Sequence, residues 1–257
     1  LIEQNPEITW SHGDYGDRLD GLIRCSGPRF HIFLNRNRCG KIRCGRGAFT
    51  LGHELGHYFI DAHRNWLRGR PDWMHVSHID DDAADKVPYE HDANVFAASL
   101  LMPEAPYRRH AKALPMGREA VVALHERFGV SQAAAARRCA ELEVWPCAFI
   151  AWDPQGRRRW AYCSPRVMDE YGWPTRTLED LRAESLTARV LRGEAVPGKV
   201  MTTAEQWFPR LDFAQHRKGF PIERLLVQID EHVIPQGEWG YLTMLCGSSW
   251  YGLQACR

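Results

Sequence analysis

The sequence predicts a mixed α+β protein, with a helix-rich N-terminal part and a separate C-terminal α/β domain. Three observations support this prediction. The segment PYEHDANVFAASLLM, residues 88–102, places apolar side chains at positions i, i+3, i+4, i+7 and i+8 of a helix. The segment FHIFLN, residues 30–35, has the composition of a strand. After Trp145, CAFIAWD and RRRWAYCS predict a β-hairpin that turns at residues 154–156.

The composition of the chain limits which classes of function are expected. The 257 residues suffice for one large domain or two modest ones, and 44% hydrophobic with 25% charged residues is typical of a soluble globular protein. The formal net charge of +1 argues against a protein whose main role is to coat nucleic acid. We find neither a signal peptide nor an apolar run of membrane-spanning length, so we expect a cytoplasmic protein without membrane contact.

The eight cysteines have irregular spacings and form no CxxC pair, which argues against a zinc ribbon. We expect most of them to be reduced, semi-buried thiols, since disulfide-stapled secreted folds are usually shorter. Cys39 and Cys44 lie near the motif described below, which leaves a redox role open.

The helical elements of the N-terminal part are predicted from their boundary signals. Thr50 is a candidate N-cap for a helix that continues through Ile60. Residues 62–87 predict a long loop. Pro88 suits the first position of a second helix, which ends at Pro103.

The remaining elements follow in chain order. Residues 117–142 predict a helix, a turn at Gly129, a cap at Ser131 and a second helix. Further on we expect a helix over 177–193 and strands over 224–235 and 241–247. The predicted domains are residues 1–115, a helix-turn-helix-like segment over 116–144, and the C-terminal α/β domain over 145–257.

The stretch FTLGHELGHYFID carries the pattern HExxH. On a helix, His53 and His57 point nearly the same way and can reach one metal ion. Glu54 lies one residue along, where it can contact a water molecule held by that ion. Zinc binds imidazole nitrogen and leaves one position to water in catalytic sites. The alternative is an amphipathic helix whose two histidines are satisfied by other partners.

Glu90 is the candidate third ligand. It lies 33 residues after His57, on the next predicted helix. At 100° per residue it falls about 45° from the centre of the apolar face, whereas Asp92 and His91 fall roughly 115° and 145° away. A carboxylate near the core needs a partner, and a metal ion is a suitable one. Alternatively, Glu90 is a first-turn glutamate that the helix dipole favours.

Together these two segments resemble the ImmA/IrrE family of zinc metallopeptidases, which combine HExxH with a helix of the form ExxANxFAxxLLMP. The resemblance covers residues 30–103 well and 104–142 reasonably. It implies a zincin-like, gluzincin-type fold with one Zn²⁺ bound by His53, His57 and Glu90, and Glu54 as the general base. Family members cleave transcriptional repressors under stress or during mobile-element induction. Several carry a helix-turn-helix-like segment, and some carry a C-terminal GAF-like sensor domain.

Other polar residues near the motif are weaker candidates. His63 could orient a ligand or stabilise an oxyanion, or it could be a helix C-terminal histidine that meets the dipole. Tyr58, His75 and His78 are candidate groups around the metal or the substrate. The acidic run HIDDDAAD lacks the glycine and the terminal glutamate of a calcium loop, so we expect a solvated loop.

The stretch FGVSQAAAARRCAEL resembles a helix-turn-helix that could contact DNA or a repressor through Arg137 and Arg138. We favour the alternative of two helices packed against the core, because phosphate binding needs several positive contacts. The C-terminal aromatic residues could line a pocket for a small-molecule or protein activator, but we expect them in the core: Trp145, Trp152, Trp160, Tyr162, Trp173 and Trp207.

The sequence therefore predicts a zinc endopeptidase that cleaves a protein substrate, with a helix-turn-helix repressor as the expected target. We expect the substrate to bind as an extended segment along an edge strand, for which the strand at residues 30–35 is the candidate. The alternative is a ligand-sensing or DNA-binding regulator with a non-catalytic core. An intact Glu54 argues against that alternative, since a structural metal site has no need of a base.

Overall fold

A computed structural model describes residues 4–16, 19–40, 45–70, 74–77, 88–175, 177, 181, 183–194, 198–208 and 226–250. The chain is a mixed α+β protein, and it divides into two compact units that are described separately below. The first comprises Leu1–Pro106 and Glu126–Ser131, and the second comprises Tyr107–His125 and Gln132–Arg257. None of the helices within the described ranges is long and apolar enough to cross a membrane.

The first unit contains a four-stranded sheet in the order β1-β3-β2-β4. Its strands are β1 Ile8–Gly13, β2 Gly21–Ser26, β3 Arg29–Asn35 and β4 Met74–Ser77. β1 runs parallel to β3, and the other pairs are antiparallel. The strand period of two puts Phe30, Ile32 and Leu34 on one face of β3, where all three are buried in the core.

The strand predicted at residues 30–35 is confirmed, but its expected position at an edge is wrong. β3 lies between β1 and β2, so its backbone donors and acceptors are already used. The edges of the described sheet are β1 and β4. The sequence did not show this, because β4 is four residues long and falls inside the stretch predicted as a loop.

Four helices accompany this sheet: α1 Arg36–Cys39, α2 Gly45–Phe59, α3 Asp61–Arg68 and α4 Pro88–Leu101. The prediction that α2 begins at Thr50 is wrong, because α2 starts five residues earlier. The Thr50 hydroxyl instead donates to the carbonyl of Arg46, 2.9 Å away in the preceding turn. The predicted loop over 62–87 contains α3 and β4, while Pro88 begins α4 as expected.

Helices α2 and α4 pack at very short range because their contact surface is made of small residues. A Cβ added at Gly56 would lie 3.0 Å from Ala93 Cα and 3.2 Å from the Ala93 carbonyl oxygen. A Cβ at Gly52 would lie 3.3 Å from the Cα and Cβ of Ala97. On the sheet side, α2 buries Leu55 in the core formed with β2 and β3. The helix is therefore held between the sheet and α4.

The second unit contains a five-stranded antiparallel sheet in the order β6-β5-β9-β8-β7. Its strands are β5 Cys147–Trp152, β6 Arg158–Cys163, β7 Lys199–Thr203, β8 Gln228–Pro235 and β9 Tyr241–Cys246. The remaining helices are α5 Glu104–Lys112, α6 Arg118–Phe128, α7 Gln132–Glu141, α8 Pro165–Tyr171, α9 Leu186–Leu191 and α10 Ala204–Trp207.

Most C-terminal element predictions are confirmed. The β5–β6 hairpin and the strands β8 and β9 are present. The helix expected over residues 177–193 is limited, among the residues described there, to Leu186–Leu191. Trp152 and Trp207 are fully buried, which agrees with a role in the core, whereas Trp173 is 43% exposed.

The six cysteines in the described ranges are buried and free, as expected: Cys25, Cys39, Cys139, Cys147, Cys163 and Cys246. Burial raises the pKa of Cys39, which disfavours the reactive thiolate that a redox role would need. Cys44 lies outside the described residues.

The predicted helix, turn and helix over 117–142 are confirmed as α6 and α7. Gly129 has φ 64°, a left-handed conformation that favours glycine, and α7 begins directly after Ser131. Arg138 is buried, and Arg137 lies over the Tyr162 ring at 4.8 Å. Both arginines also pair with Glu141, at 3.1 and 3.3 Å. These contacts favour a packing role for the two arginines over phosphate binding.

The close contact of α2 with α4 yields a stability prediction. Replacing Gly56 with alanine should lower the free energy of unfolding on the order of 1 kcal/mol, because overpacking against backbone atoms, at about 1–3 kcal/mol, exceeds the helix-propensity gain of about 1 kcal/mol. Gly69→Ala is the control, since Gly69 has φ −72° and its added Cβ meets nothing closer than 3.6 Å. Urea denaturation followed by circular dichroism measures both. Equal stability of the two variants would contradict the close packing.

Candidate metal centre

Two histidines on one face of α2 form the base of the site. His53 and His57 are one helical turn apart, and both are buried. Their Nε2 atoms lie 3.1 Å apart. Burial lowers the pKa of His57 to about 4, so its imidazole is neutral at pH 7. A neutral imidazole is the form that binds a metal ion.

Glu90 reaches the two histidines from the first turn of α4. Its Oε2 lies 3.2 Å from His53 Nε2, and its Oε1 lies 3.4 Å from His57 Nε2. Burial acts to raise the pKa of Glu90, but the hydrogen bonds to the surrounding histidines outweigh it and hold this pKa well below the usual range. Glu90 is buried while His91 and Asp92 are exposed, as the helical geometry predicted.

A fourth donor, His75, comes from strand β4. Its Nε2 lies 2.5 Å from Glu90 Oε1, and its ring centroid lies 4.4 Å from that of His57. The ligand atoms of His53, His57, His75 and Glu90 all lie within 4.8 Å of one another. Within the described residues, this is the one group of three or more His, Cys, Asp or Glu side chains that could hold a metal ion.

The donor set can be tested against zinc geometry. Bonds of about 2.0–2.2 Å in a tetrahedral site imply ligand atoms about 3.3–3.6 Å apart. The distances among His53, His57 and Glu90, at 3.1–3.4 Å, lie within about 0.2 Å of this spacing. Three imidazole nitrogens and one carboxylate are also ligands that zinc accepts. The residues therefore fit a zinc ion.

Asn94 orients His53 from behind. Its Oδ1 lies 2.9 Å from His53 Nδ1, so an N–H on Nδ1 donates to the amide oxygen and leaves Nε2 as the free donor atom. Sequence reasoning missed this residue. The available signal was its position four residues after Glu90, which places both side chains on the same face of α4.

Glu54 follows His53 directly on α2 and is fully buried. Burial lowers the pKa of His53, but the hydrogen bond to Glu90 and the charge of Glu54 outweigh it and raise this pKa. Gly21 of β2 leaves the room that Glu54 occupies. A Cβ at Gly21 would lie 2.7 Å from Glu54 Oε1 and 2.5 Å from Thr50 Cγ2.

One comparison with known proteins concerns the part of the chain that holds this site. Residues 43–140 match the family model of the IrrE N-terminal-like domain, a peptidase family. The four candidate donors and Glu54 all lie inside the matched range. A search of curated proteins gave no significant match.

One similar solved structure is a Mycobacterium tuberculosis transcriptional regulator, which shares 15% sequence identity with the chain at a TM-score of 0.52. The match covers 93% of this chain and 66% of the regulator, so the chain spans just under two thirds of that protein's length. At this identity, the likeness concerns the fold.

Two further residues that the sequence predicted near the metal, His63 and Tyr58, are not part of the donor group. His63 is buried on α3, with its ring centroid 5.2 Å from that of His57 and its Nε2 3.7 Å from Asp92 Oδ2. It therefore lies beside the donor group without joining it. The Tyr58 hydroxyl instead hydrogen-bonds to Asn5 at 2.8 Å and to Glu7 at 3.3 Å, in the core of the first unit.

His78 and the acidic run that follows it lie outside the described residues. The predicted solvated loop at HIDDDAAD therefore stays a prediction.

The Asn94 contact predicts a change in metal affinity. Asn94→Ala should weaken zinc binding by about 10–100-fold, because His53 loses the acceptor that fixes its tautomer and ring orientation. Val95→Ala is the control, since Val95 lies on the same helix and is 42% exposed. Competition titration with a chromophoric chelator gives both affinities. Unchanged affinity in Asn94→Ala would show that His53 is oriented without Asn94.

Proposed function

We propose that the protein is a zinc-dependent endopeptidase. The observation that carries the proposal is the fully buried Glu54 next to a donor group that fits zinc, within an IrrE N-terminal-like domain. A purely structural metal site would gain nothing from burying a further carboxylate there, because an ionised group is costly to remove from water. A general base is a function that accounts for this cost.

The side chains would divide the chemistry as follows. His53, His57 and Glu90 would hold the ion, and Asn94 would keep His53 in the tautomer that donates through Nε2. Bound zinc would polarise the peptide carbonyl and lower the pKa of a water molecule to about 7. Glu54 would accept the proton of the attacking water and later donate it to the leaving amine.

The proposed architecture is a zincin-like, gluzincin-type core. The features that support it are the HExxH helix α2, the glutamate-bearing helix α4 and the adjoining sheet. The proposed substrate path follows the sheet edge that reaches the site. That edge is β4, because β4 places His75 against Glu90, and an extended protein segment could pair along it.

The second unit, which contains the five-stranded sheet, would control this activity. Counted within the unit, its antiparallel strands have the order 2-1-5-4-3, and we propose that it is a GAF-like sensor for a small molecule or a protein activator. The substrate would be a helix-turn-helix repressor in the cytoplasm, cleaved in a stress or mobile-element response. The likeness in fold to a transcriptional regulator is compatible with a role in gene control.

That same likeness favours a second candidate, a ligand-sensing or DNA-binding regulator with a non-catalytic core. The described α6–α7 segment weakens the DNA-binding form of this candidate. Its two consecutive arginines are held by Glu141, and one of them is buried. Few positive charges of this segment are therefore left to contact DNA phosphates and release their counterions.

The base assignment predicts separate effects on metal and cleavage. Glu54→Gln should keep one zinc per chain and lose cleavage by at least about 100-fold, since general-base catalysis contributes about 10²–10⁴-fold. Metal is measured by mass spectrometry, and cleavage is measured on the helix-turn-helix repressors encoded nearest the gene. Glu7→Gln is a matched control, because Glu7 contacts Tyr58 away from the donor group. Equal cutting by Glu54→Gln and the unmodified protein would exclude Glu54 as the base.

The DNA-binding candidate has its own test. We expect the purified protein to show no salt-sensitive DNA affinity in fluorescence anisotropy at 50 and 200 mM salt. A protein with 6–10 phosphate contacts would lose about 10³–10⁵-fold over this range. A loss of that size, reduced by Arg137→Ala, would establish DNA binding through α7.

A further inference from the structure

His75 presents a conflict within the proposed active site. Zinc is almost always four-coordinate in proteins, and His53, His57, Glu90 and His75 together supply four donors. A site with four protein ligands is closed, whereas a catalytic site keeps one position for water or substrate. Yet Glu54 is buried at the same place, where it would have no water to act on if all four residues bound the ion at once.

We propose that His75 is a displaceable fourth metal ligand that keeps the centre closed until substrate binds. This inference rests on the proposed zinc-peptidase function and adds a resting state to it. In the closed state, three imidazoles and one carboxylate would hold the ion. In the open state, the position vacated by His75 becomes the one that water and the peptide carbonyl need.

The geometry places His75 within reach of the ion. Its Nε2 lies 2.5 Å from Glu90 Oε1, shorter than the roughly 3.3–3.6 Å expected between two ligands of a tetrahedral zinc. The contact would therefore have to lengthen by about 1 Å when both atoms bind metal. In the antiparallel pairing of β4 with β2, His75 lies directly opposite Ile23, which is buried. His75 is therefore on the core side of the sheet.

His75 is also the donor that is easiest to move. His53 and His57 sit on a fifteen-residue helix held by close backbone packing, and Glu90 sits on a fourteen-residue helix. His75 sits on a four-residue strand at the sheet edge, which pairs with β2 alone among the described strands. Its side chain is 15% exposed, compared with 3% for each α2 histidine and 9% for Glu90.

The position of β4 would link the displacement of His75 to the binding of substrate. The edge that would pair with an extended protein segment is the strand that carries the fourth ligand. A small shift of β4 on pairing would withdraw the imidazole and free the coordination position in one movement. The device favours cleavage of a segment that engages β4 over hydrolysis of peptides that do not.

The experiment uses the full chain with cobalt in place of zinc, and azide as a probe for an open coordination position. X-ray absorption should count three imidazoles in the unmodified protein and two in His75→Ala. The visible cobalt spectrum of His75→Ala should respond to azide at a concentration at least about tenfold lower than that of the unmodified protein. That ratio reports how strongly the closed form dominates. His91→Ala, which removes an exposed histidine on α4, should behave as the unmodified protein.

The outcomes separate this proposal from the function it rests on. Two imidazoles in the unmodified protein, with equal azide affinity in both proteins, would overturn the role of His75 and leave the zinc peptidase intact. Three imidazoles with equal azide affinity would also overturn it, since His75 would then bind without closing the centre. Absence of bound metal in every variant would overturn both the proposed function and the role of His75.

Discussion

The site depends on the close approach of two helix backbones. Glycine at positions 52 and 56 lets α4 come within van der Waals distance of α2, against Ala93 and Ala97. Glu90 and Asn94 lie on the same helix, so their reach to the α2 histidines is set by this crossing. The pattern HExxH alone supplies two candidate ligands and the proposed base. The small residues around it bring the third candidate ligand, Glu90, within 3.2–3.4 Å of the two histidines.

Electrostatic interactions also stabilise the arrangement of these residues. A carboxylate buried on its own would be costly, but Glu90 is surrounded by imidazoles that favour its charged form. Burial in turn holds His57 neutral and ready to bind. The group is thus prepared for a cation by its own charges. Gly21 adds a steric condition, because any side chain there would occupy the space of the Glu54 carboxylate.

The sequence predicted the helix-borne part of this arrangement and missed the part that the sheet supplies. Helical periodicity is local, so His53, His57 and the inward direction of Glu90 could be derived from spacing alone. His75 was only one of several candidates, because its place in the group depends on β4 pairing with β2, a non-local contact made by a four-residue strand. The error over the β3 edge has the same origin, since strand order depends on pairing between distant segments.

The most direct test of the central claim is anomalous scattering at the zinc absorption edge from crystals of the zinc-loaded protein. One peak should lie about 2.0–2.2 Å from the Nε2 atoms of His53 and His57 and from the Glu90 carboxylate. A peak elsewhere, or none between α2 and α4, would mean that this helix crossing does not build a metal centre.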